Sequence, residues 1–532
     1  MSIKIGKSFW LNLEKVYGVS SLGQKVTLPD EEAQKMEESI KILQKYANDR
    51  VPLYGINTQV GDDAYRVNLK SEDYEDSLIR RQANAMRALG CGLGQDCSDE
   101  IIRATLLLRA NAHVQGASGV RPLVTEGILK LVNEDILPVI KRYGSVGASG
   151  DLIPMSSIGR TLMAEHMVKY KGSIVHAKDV FKDLGIEPIQ LHMKEGVAIV
   201  NGTSFTTAIA AIAIHKLCYY LPLSISATVA CCEAMLAMDS SYDPYLHEAK
   251  HHKGQIEVAA FIRECWEGSS MVRSLSKLRE KWKASLVSEE ISNQEHVQDF
   301  YSLRGIAHGF GPFAENLERA VSVVEEEMNS VNDNPIVDIK NGTVLHGANF
   351  LTDYIAVACD QLRADVAKAS TWMHAIIGNL LHPRKNRGLP SNLVTNPEEY
   401  LGFKPVGVLM AAIAIHNRSR TLPVSAIMLP TEGDNQDMVS LGTHSAFDLL
   451  EVVENYSRMI SIMLLAGAQA LELRGLNEAS HRSKKIHSFV RKYSSFVDKD
   501  RPLADDIEQI NLFLDKSIHE IDFIQPWYLK NE

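Results

Sequence analysis

The stretch LLEVVENYSRMISIMLLAGAQAL, residues 449–471, decides the architecture. Leu449, Val452, Tyr456, Met459, Met463, Gly467 and Leu471 recur at intervals of three and four. At 3.6 residues per turn this is one stripe of an α-helix about six turns long. Gly475 stands just beyond it, where a glycine takes the left-handed conformation that ends many helices. A helix of this length gains most of its stability by burying its stripe, so it predicts partner helices.

Those partners are found outward in both directions. Phe205 to Met238 is the most apolar region, broken by His215, Lys216 and Glu233. Burying such charges in lipid costs about 2.5 kcal/mol or more each, so the segment reads as a core helix and no membrane partner is expected. Pro312 suits a first helical turn, ahead of Phe313, Leu317, Val321, Val324 and Met328 on one face. Ser98, followed by Asp99 and Glu100, caps a helix carrying Ile101, Thr105, Leu108 and Ala112. Asp30 is placed to cap another, with Met36, Ile40, Leu43 and Ala47 on its inner face. Strand patterns are few: Gly172 to Val175, and Ile336 to Leu345 with Asn341-Gly342 as a hairpin turn. The fold class is therefore mainly α. No repeat or linker divides the chain, and soft boundaries give an N-terminal region 1–200, a central long-helix bundle 201–475 and a C-terminal helical segment 476–532.

Composition narrows the function. Of 532 residues, 45% belong to the hydrophobic set and 23% are charged, which excludes wholesale disorder. With 56 basic and 66 acidic residues the net charge is -10, a field that repels nucleic acid and anionic bilayers. The basic clusters Arg482-Lys484-Lys485 and Arg384-Lys385-Arg387 lack interleaved aromatics for base stacking. Seven scattered cysteines without a C-x-x-C pair fit a reduced cytoplasmic setting, and Met1 to Gly6 reads as no export signal. His192 and His251-His252 lack metal-ligand spacing, so neither a metal nor a nucleotide cofactor is expected.

Chemistry concentrates in Gly144-Ser145-Val146-Gly147-Ala148-Ser149-Gly150-Asp151. Glycine loops can cradle phosphate, but the Lys-Ser/Thr of a P-loop is missing, and a plain connection ahead of a helix near Leu152 is the simpler alternative. Ala-Ser-Gly has a third possibility. When the backbone is forced tight, the unhindered Gly amide nitrogen can approach the Ala carbonyl. Dehydration of the Ser then leaves a methylidene imidazolone, an electrophile that no ordinary side chain provides. A second Gly-Ala-Ser-Gly occupies 116–119, but only the copy at 147–150 continues as Asp151-Leu152-Ile153-Pro154.

That continuation resembles the histidine and aromatic amino acid ammonia-lyases and their 2,3-aminomutases. Six further segments match in order: Tyr54-Gly55-Ile56-Asn57-Thr58, Asn201-Gly202-Thr203, Gln298 to Arg304, Asn332 to Pro335, His346 to Phe350 and Asn435 to Gly442. The resemblance implies the long-helix bundle of that family (fumarase/aspartase-like), a homotetramer with each pocket completed by neighbouring chains, and a 4-methylidene-imidazol-5-one (MIO) group made from Ala148, Ser149 and Gly150. In the family mechanism its methylidene carbon is attacked by the substrate nitrogen or, in the older alternative, by the aromatic ring. Tyr54 matches the catalytic base on a mobile loop, and its phenol, with an ordinary pKa near 10, needs local positive charge or helix dipoles to ionise at neutral pH. Arg304 matches the bidentate carboxylate clamp. Tyr301, three residues before it, shares its face on a helix and orders or protonates at the reaction centre. Asn201 resembles the residue holding the prosthetic group or the substrate carboxylate, while Gln298 and Phe350 match pocket-lining positions.

Two positions bear on the substrate. Asn435-Gln436-Asp437 follows the aromatic-lyase version of its motif, where histidine-specific relatives carry Glu in place of Gln436. Gln82 to Gly94 resembles the selectivity helix, and its ring-discriminating pair is Ala88-Leu89. Leu89 keeps the aromatic-type half; Ala88 leaves volume and offers no donor to a phenol. Gln59-Val60, His308 and Pro405 depart from the family pattern, and Gln59 in place of Gly stiffens the lid in a way that suits a mutase. The expected function is elimination of ammonia from an aromatic L-α-amino acid, phenylalanine-like or tyrosine, to a trans-arylacrylate. The alternative is a 2,3-aminomutase giving a β-amino acid. Histidine ammonia-lyase and an inactive helical scaffold rank below both.

Overall fold

The computed structural model describes residues 2–67, 69–70, 72–287 and 297–529. Helices dominate, and the strands among the described residues are two to four residues long. The chain divides into two compact units whose membership alternates along the sequence. The first takes residues up to His215, Ala320–Asp360 and Pro423–Leu450; the second takes Lys216–Arg319, Gln361–Leu422 and the chain from Glu451 on. Four long helices, Ser204–Ala234, Ile306–Met328, Asp353–Leu381 and Gly442–Arg474, contribute residues to both.

In the first unit the helix Asp99–Val114 begins as its sequence predicts, with the Ser98 hydroxyl accepting from the Ile101 amide at 3.4 Å. It is buried nearly all round, so Arg109, Asn111 and His113 lie inside with the leucines. The Asp30–Asn48 helix buries Met36, Leu43 and Ala47, but Pro29 takes the cap position and Asp30 is its first helical residue. A carboxylate in the first turn still faces the positive end of the helix dipole, which is why the acidic start is retained there. Both expected strand regions form antiparallel hairpins: Met167–Tyr170 with Ser173–His176, and Ile336–Asp338 with Thr343–Leu345. Gly342 takes a φ of +62° at the second turn.

The second unit holds most of the apolar stripe of residues 449–471. Tyr456, Met459, Met463 and Leu471 are fully buried, and the Tyr456 hydroxyl pairs with Ser224 at 2.6 Å. Phe313 meets the Tyr456 ring edge-on at 6.2 Å. Gly475 ends the helix with a φ of +116°, its amide donating to Leu471 at 3.0 Å. The proline reading needs correction. Pro312 lies inside Ile306–Met328, because the helix starts two turns earlier. Ile306, Ala307 and Phe310 are wholly buried, and that packing carries the helix through the one backbone hydrogen bond Pro312 cannot donate. Over the apolar window of Ser204–Ala234, 94% of residues are buried, as a core helix requires. None of the seven cysteines is in a disulfide; Cys91 is exposed and the other six are buried.

Candidate active site

The segment 144–151 connects the strand Lys141–Tyr143 to the helix Leu152–Leu162 in the first unit. Asp151 occupies the cap position of that helix without capping it. Its carboxylate is engaged elsewhere, accepting from Ser145 Oγ at 2.8 Å, the Thr206 amide at 2.8 Å, Thr206 Oγ1 at 2.7 Å and Thr443 Oγ1 at 3.1 Å. Complete burial pushes its pKa up, and the four hydrogen bonds oppose that rise. The group thereby ties the loop to the starts of two long helices, Ser204–Ala234 and Gly442–Arg474.

The tripeptide itself is gripped on three sides. Asn201 Nδ2 donates to the Ser149 carbonyl at 2.8 Å, and Gln436 Nε2 donates to Ser149 Oγ at 3.1 Å. Gly150 pairs in parallel with Gly202, whose carbonyl takes the Asp151 amide at 2.8 Å. A Cβ on Gly150, which has a φ of +73°, would lie 2.2 Å from the Gly202 carbonyl oxygen and 2.4 Å from its nitrogen. Only glycine fits there. On the N-terminal side Ser440 Oγ donates to the Gly147 carbonyl at 2.9 Å, and Leu441 donates to Val146 at 3.0 Å. Ser440 also pairs with Thr352, two residues after Phe350.

Behind this layer lies a buried polar group. Arg109 Nη1 donates to the Asn201 carbonyl at 3.0 Å. Thr203 Oγ1 donates to Glu327, whose pKa is raised by burial and by the Asp151 charge. Lys194 pairs with Asp333, both wholly buried, and donates to the Ser118 carbonyl at 3.0 Å. Burial drives His113 well below its ordinary range, so its ring is neutral.

Sequence reading named several of these neighbours. Asn201 and Gln436 come together at Ser149. Tyr54 is half-buried in its own loop, where its hydroxyl accepts from the Gly61 amide at 2.9 Å. Burial raises its pKa first and the Glu432 charge adds to this, against the Gly61 hydrogen bond, so its own surroundings oppose ionisation. Leu89 ends the helix Tyr74–Ala88, and its carbonyl accepts from Ser156 Oγ at 3.2 Å in the helix that follows Ser149. Ala88 is exposed, as is Asn435; Phe350 is half-buried.

Gln298, Tyr301 and Arg304 form a group of their own in the second unit. Arg304 Nη1 donates to Gln298 Oε1 at 2.6 Å, and its guanidinium lies 4.5 Å from the centre of the Tyr301 ring, as the three-residue spacing predicts. Tyr301 is 79% exposed. The turn Tyr301–Arg304 is held from behind by Trp372 Nε1 and Asn379 Nδ2, which donate to the Ser302 carbonyl and hydroxyl, each at 2.8 Å. Asp299, buried, accepts from Arg273 at 2.9 Å and from Arg387.

Sequence reading assigned no role to Arg109, Asp151, Thr206, Thr352, Glu327 or Asp299. Arg109 carried a signal, as a cation in the apolar run LLLRANAHV at 106–114.

The model for aromatic amino acid lyases matches residues 11–493. The chain belongs to that family. By sequence it is 33% identical over 495 residues to the histidine ammonia-lyase of Bacillus cytotoxicus, covering 92% of this chain and 93% of that one. By structure it is similar to the tyrosine aminomutase of Streptomyces globisporus, with a TM-score of 0.92 at 29% identity and 98% coverage of each chain. The phenylalanine aminomutase of Pantoea agglomerans gives a TM-score of 0.91 at 26% identity, covering 97% of this chain and 99% of that one. The chain is thus a member of the ammonia-lyase and aminomutase fold. No group of three or more metal-ligating side chains occurs among the described residues.

Proposed function

We propose that this lyase-family chain removes ammonia from an aromatic L-α-amino acid, phenylalanine-like, to give a trans-arylacrylate. The observation that carries the reading is the contact of Gln436 Nε2 with Ser149 Oγ: an amide, where histidine-specific relatives carry Glu. A neutral amide gives an imidazole substrate no carboxylate partner, so a bare ring is preferred.

The residues present fit an MIO group at Ala148-Ser149-Gly150. Gly150 has no space for a Cβ, Asn201 Nδ2 holds the Ser149 carbonyl, an oxygen the ring would keep, and Gln436 holds the hydroxyl that would leave. Asn201 Oδ1 is buried without a partner among the described residues, an acceptor left over beside Ser149. When formed, the group supplies an electrophilic alkene that makes the α-amino group a competent leaving group. The side chains do the rest. Tyr54 Oη takes the β-proton; burial and Glu432 hold its own proton on, so it acts as a base only once a nearby cation lowers its pKa. Arg304, with Gln298 beside it, clamps the carboxylate in a fork. Leu89, Ala88 and Phe350 enclose the ring.

Arg304, Gln298 and Tyr301 serve, in this reading, a pocket of a neighbouring copy in a homotetramer. The exposure of Tyr301 supports it, as do exposed apolar side chains at Val408, Ile415 and Leu429 that suit burial between copies. Seven cysteines without a disulfide suit a cytoplasmic compartment.

A 2,3-aminomutase is the second reading, favoured by the likeness to the two aminomutases and by Gln59 in the Tyr54 loop. Incubation with L-phenylalanine, L-tyrosine and L-histidine, followed by product separation, decides between them. Arylacrylate with stoichiometric ammonia supports the lyase. A β-amino acid without accumulating arylacrylate replaces it with the mutase, and turnover of histidine alone overturns the Gln436 argument.

A further inference from the structure

Arg109 is wholly buried and bonds to Asn201, whose side chain holds Ser149. Three observations distinguish it from a packing residue. Its Nη1 donates to the Asn201 carbonyl at 3.0 Å, while Nε and Nη2 find no partner among the described residues. A Cβ on Gly202, with a φ of +152°, would lie 2.1 Å from that same Nη1, so the guanidinium occupies the space a side chain would take. Gly202 also borders Gly150 at distances no side chain tolerates, and Asn201 grips the Ser149 carbonyl. A buried cation with so few of its N–H groups satisfied is costly, and an apolar side chain of similar length would pack as well. The cost points to something other than the fold.

We infer that Arg109 is a positioning residue for closure of the Ala148-Ser149-Gly150 ring, acting through Asn201-Gly202. The inference rests on the MIO reading above and adds a residue that neither contacts the tripeptide nor meets substrate. Ring closure joins Gly150 N to the Ala148 carbonyl carbon. The Ala148 oxygen leaves as water with the Gly150 and Ser149 amide hydrogens. Ser149 Oγ leaves as a second water with the Ser149 α-hydrogen, and no oxidant is needed. The step requires Gly150 N to be pressed toward Ala148. Asn201-Gly202 is the surface that presses, and Arg109 is what keeps it from retreating: its Nη1 fixes the Asn201 carbonyl, and the Asp333 and Asp151 charges favour its own.

The test is intact mass measured against time after synthesis, on the full-length chain, for wild type, Ser149→Ala, Arg109→Met and Arg109→Lys. Far-UV circular dichroism and assembly size report folding separately. Wild type is expected to lose the mass of two waters and Ser149→Ala to keep it. Folded Arg109→Met is expected to lose it at least about tenfold more slowly, the scale set by one hydrogen bond to a charged group, with Arg109→Lys between the two. A merely structural role moves stability and leaves this rate alone. Folded Arg109→Met that dehydrates at the wild-type rate overturns the inference. If Arg109→Met does not fold, Arg109→Lys decides: slower dehydration supports the inference and the wild-type rate overturns it. Wild type that keeps its full mass removes the MIO reading and this inference together, whereas dehydrated wild type with equally dehydrated variants removes only the inference.

Discussion

Replacing Gly150 by Ala separates backbone strain from crowding, because Gly185 supplies the matching control. Gly185 has a φ of +63° at the end of the helix Ala177–Leu184, and a Cβ there meets nothing within 4 Å. Gly185→Ala should therefore cost only the left-handed strain, about 1 kcal/mol. Gly150, at +73°, carries the same strain and in addition drives a Cβ to 2.2 Å from one backbone atom of Gly202 and 2.4 Å from another. Gly202 cannot withdraw, since Arg109 and Asn332 stand directly behind it. The chain must open between Gly150 and Gly202, breaking the Asp151 amide bond to Gly202 and the Asn201 bond to Ser149, both 2.8 Å. With about 1 kcal/mol of strain, about 1 kcal/mol for each hydrogen bond and about 1–3 kcal/mol for overpacking, Gly150→Ala should cost ~4–6 kcal/mol in all. Urea titration followed by circular dichroism gives the difference between the two variants, and intact mass shows whether Gly150→Ala still loses two waters. A Gly150→Ala protein within 1 kcal/mol of Gly185→Ala, or one that dehydrates normally, would refute the account of the crowded glycine pair.

Three further outcomes are expected. Asn201→Ala removes the donor to the Ser149 carbonyl, and kcat should fall about 100-fold, the scale of losing one preorganised donor, with a smaller change in KM. Glu432→Gln takes away a charge that raises the Tyr54 pKa, so the rising acid limb of kcat/KM should move to lower pH; an upward move would show that Glu432 does not act on Tyr54. Asp365 has its pKa raised from 3.8 to about 6 by burial. The folded protein thus holds this proton more tightly than the unfolded chain, and its contribution falls as pH climbs between those two values. Asp365→Asn should remove that loss and raise stability at pH 7 by up to about 3 kcal/mol, with no gain at pH 3.5, as thermal melts at the two pH values would show.

What the sequence made legible follows the range of the interactions involved. Helices such as Gly442–Arg474 and Asp99–Val114 are written locally, in stripe spacing and caps, and they form as read. Pro312 misled because its local preference for a first turn is outweighed by burial of Ile306, Ala307 and Phe310, a tertiary effect invisible from five residues away. At the site, Ser149, Asn201 and Gln436 were found through motifs, yet their contacts span 52 and 287 residues of chain. Arg109 lies 92 residues from the carbonyl it holds, and Asp151 gathers Thr206 and Thr443 from 55 and 292 residues downstream. Nothing in a stripe or a cap encodes such a meeting. Gly202 is the intermediate case: it is visible as a glycine in Asn-Gly-Thr, but the reason for it, a guanidinium where a Cβ would be, is visible only in three dimensions.

The distribution of thiols gives this molecule a built-in attachment point. Six of the seven are sealed in the interior, and burial pushes Cys97, Cys231 and Cys265 up to about 12, where they are inert toward alkylating reagents. Cys91 alone is open to solvent, two residues past Leu89, with its amide bonded to the Leu89 carbonyl at 2.8 Å. A maleimide dye or spin label added to the unmutated protein therefore goes to a single place, beside the segment expected to face the aromatic ring, and can follow ligand arrival without a single engineered residue.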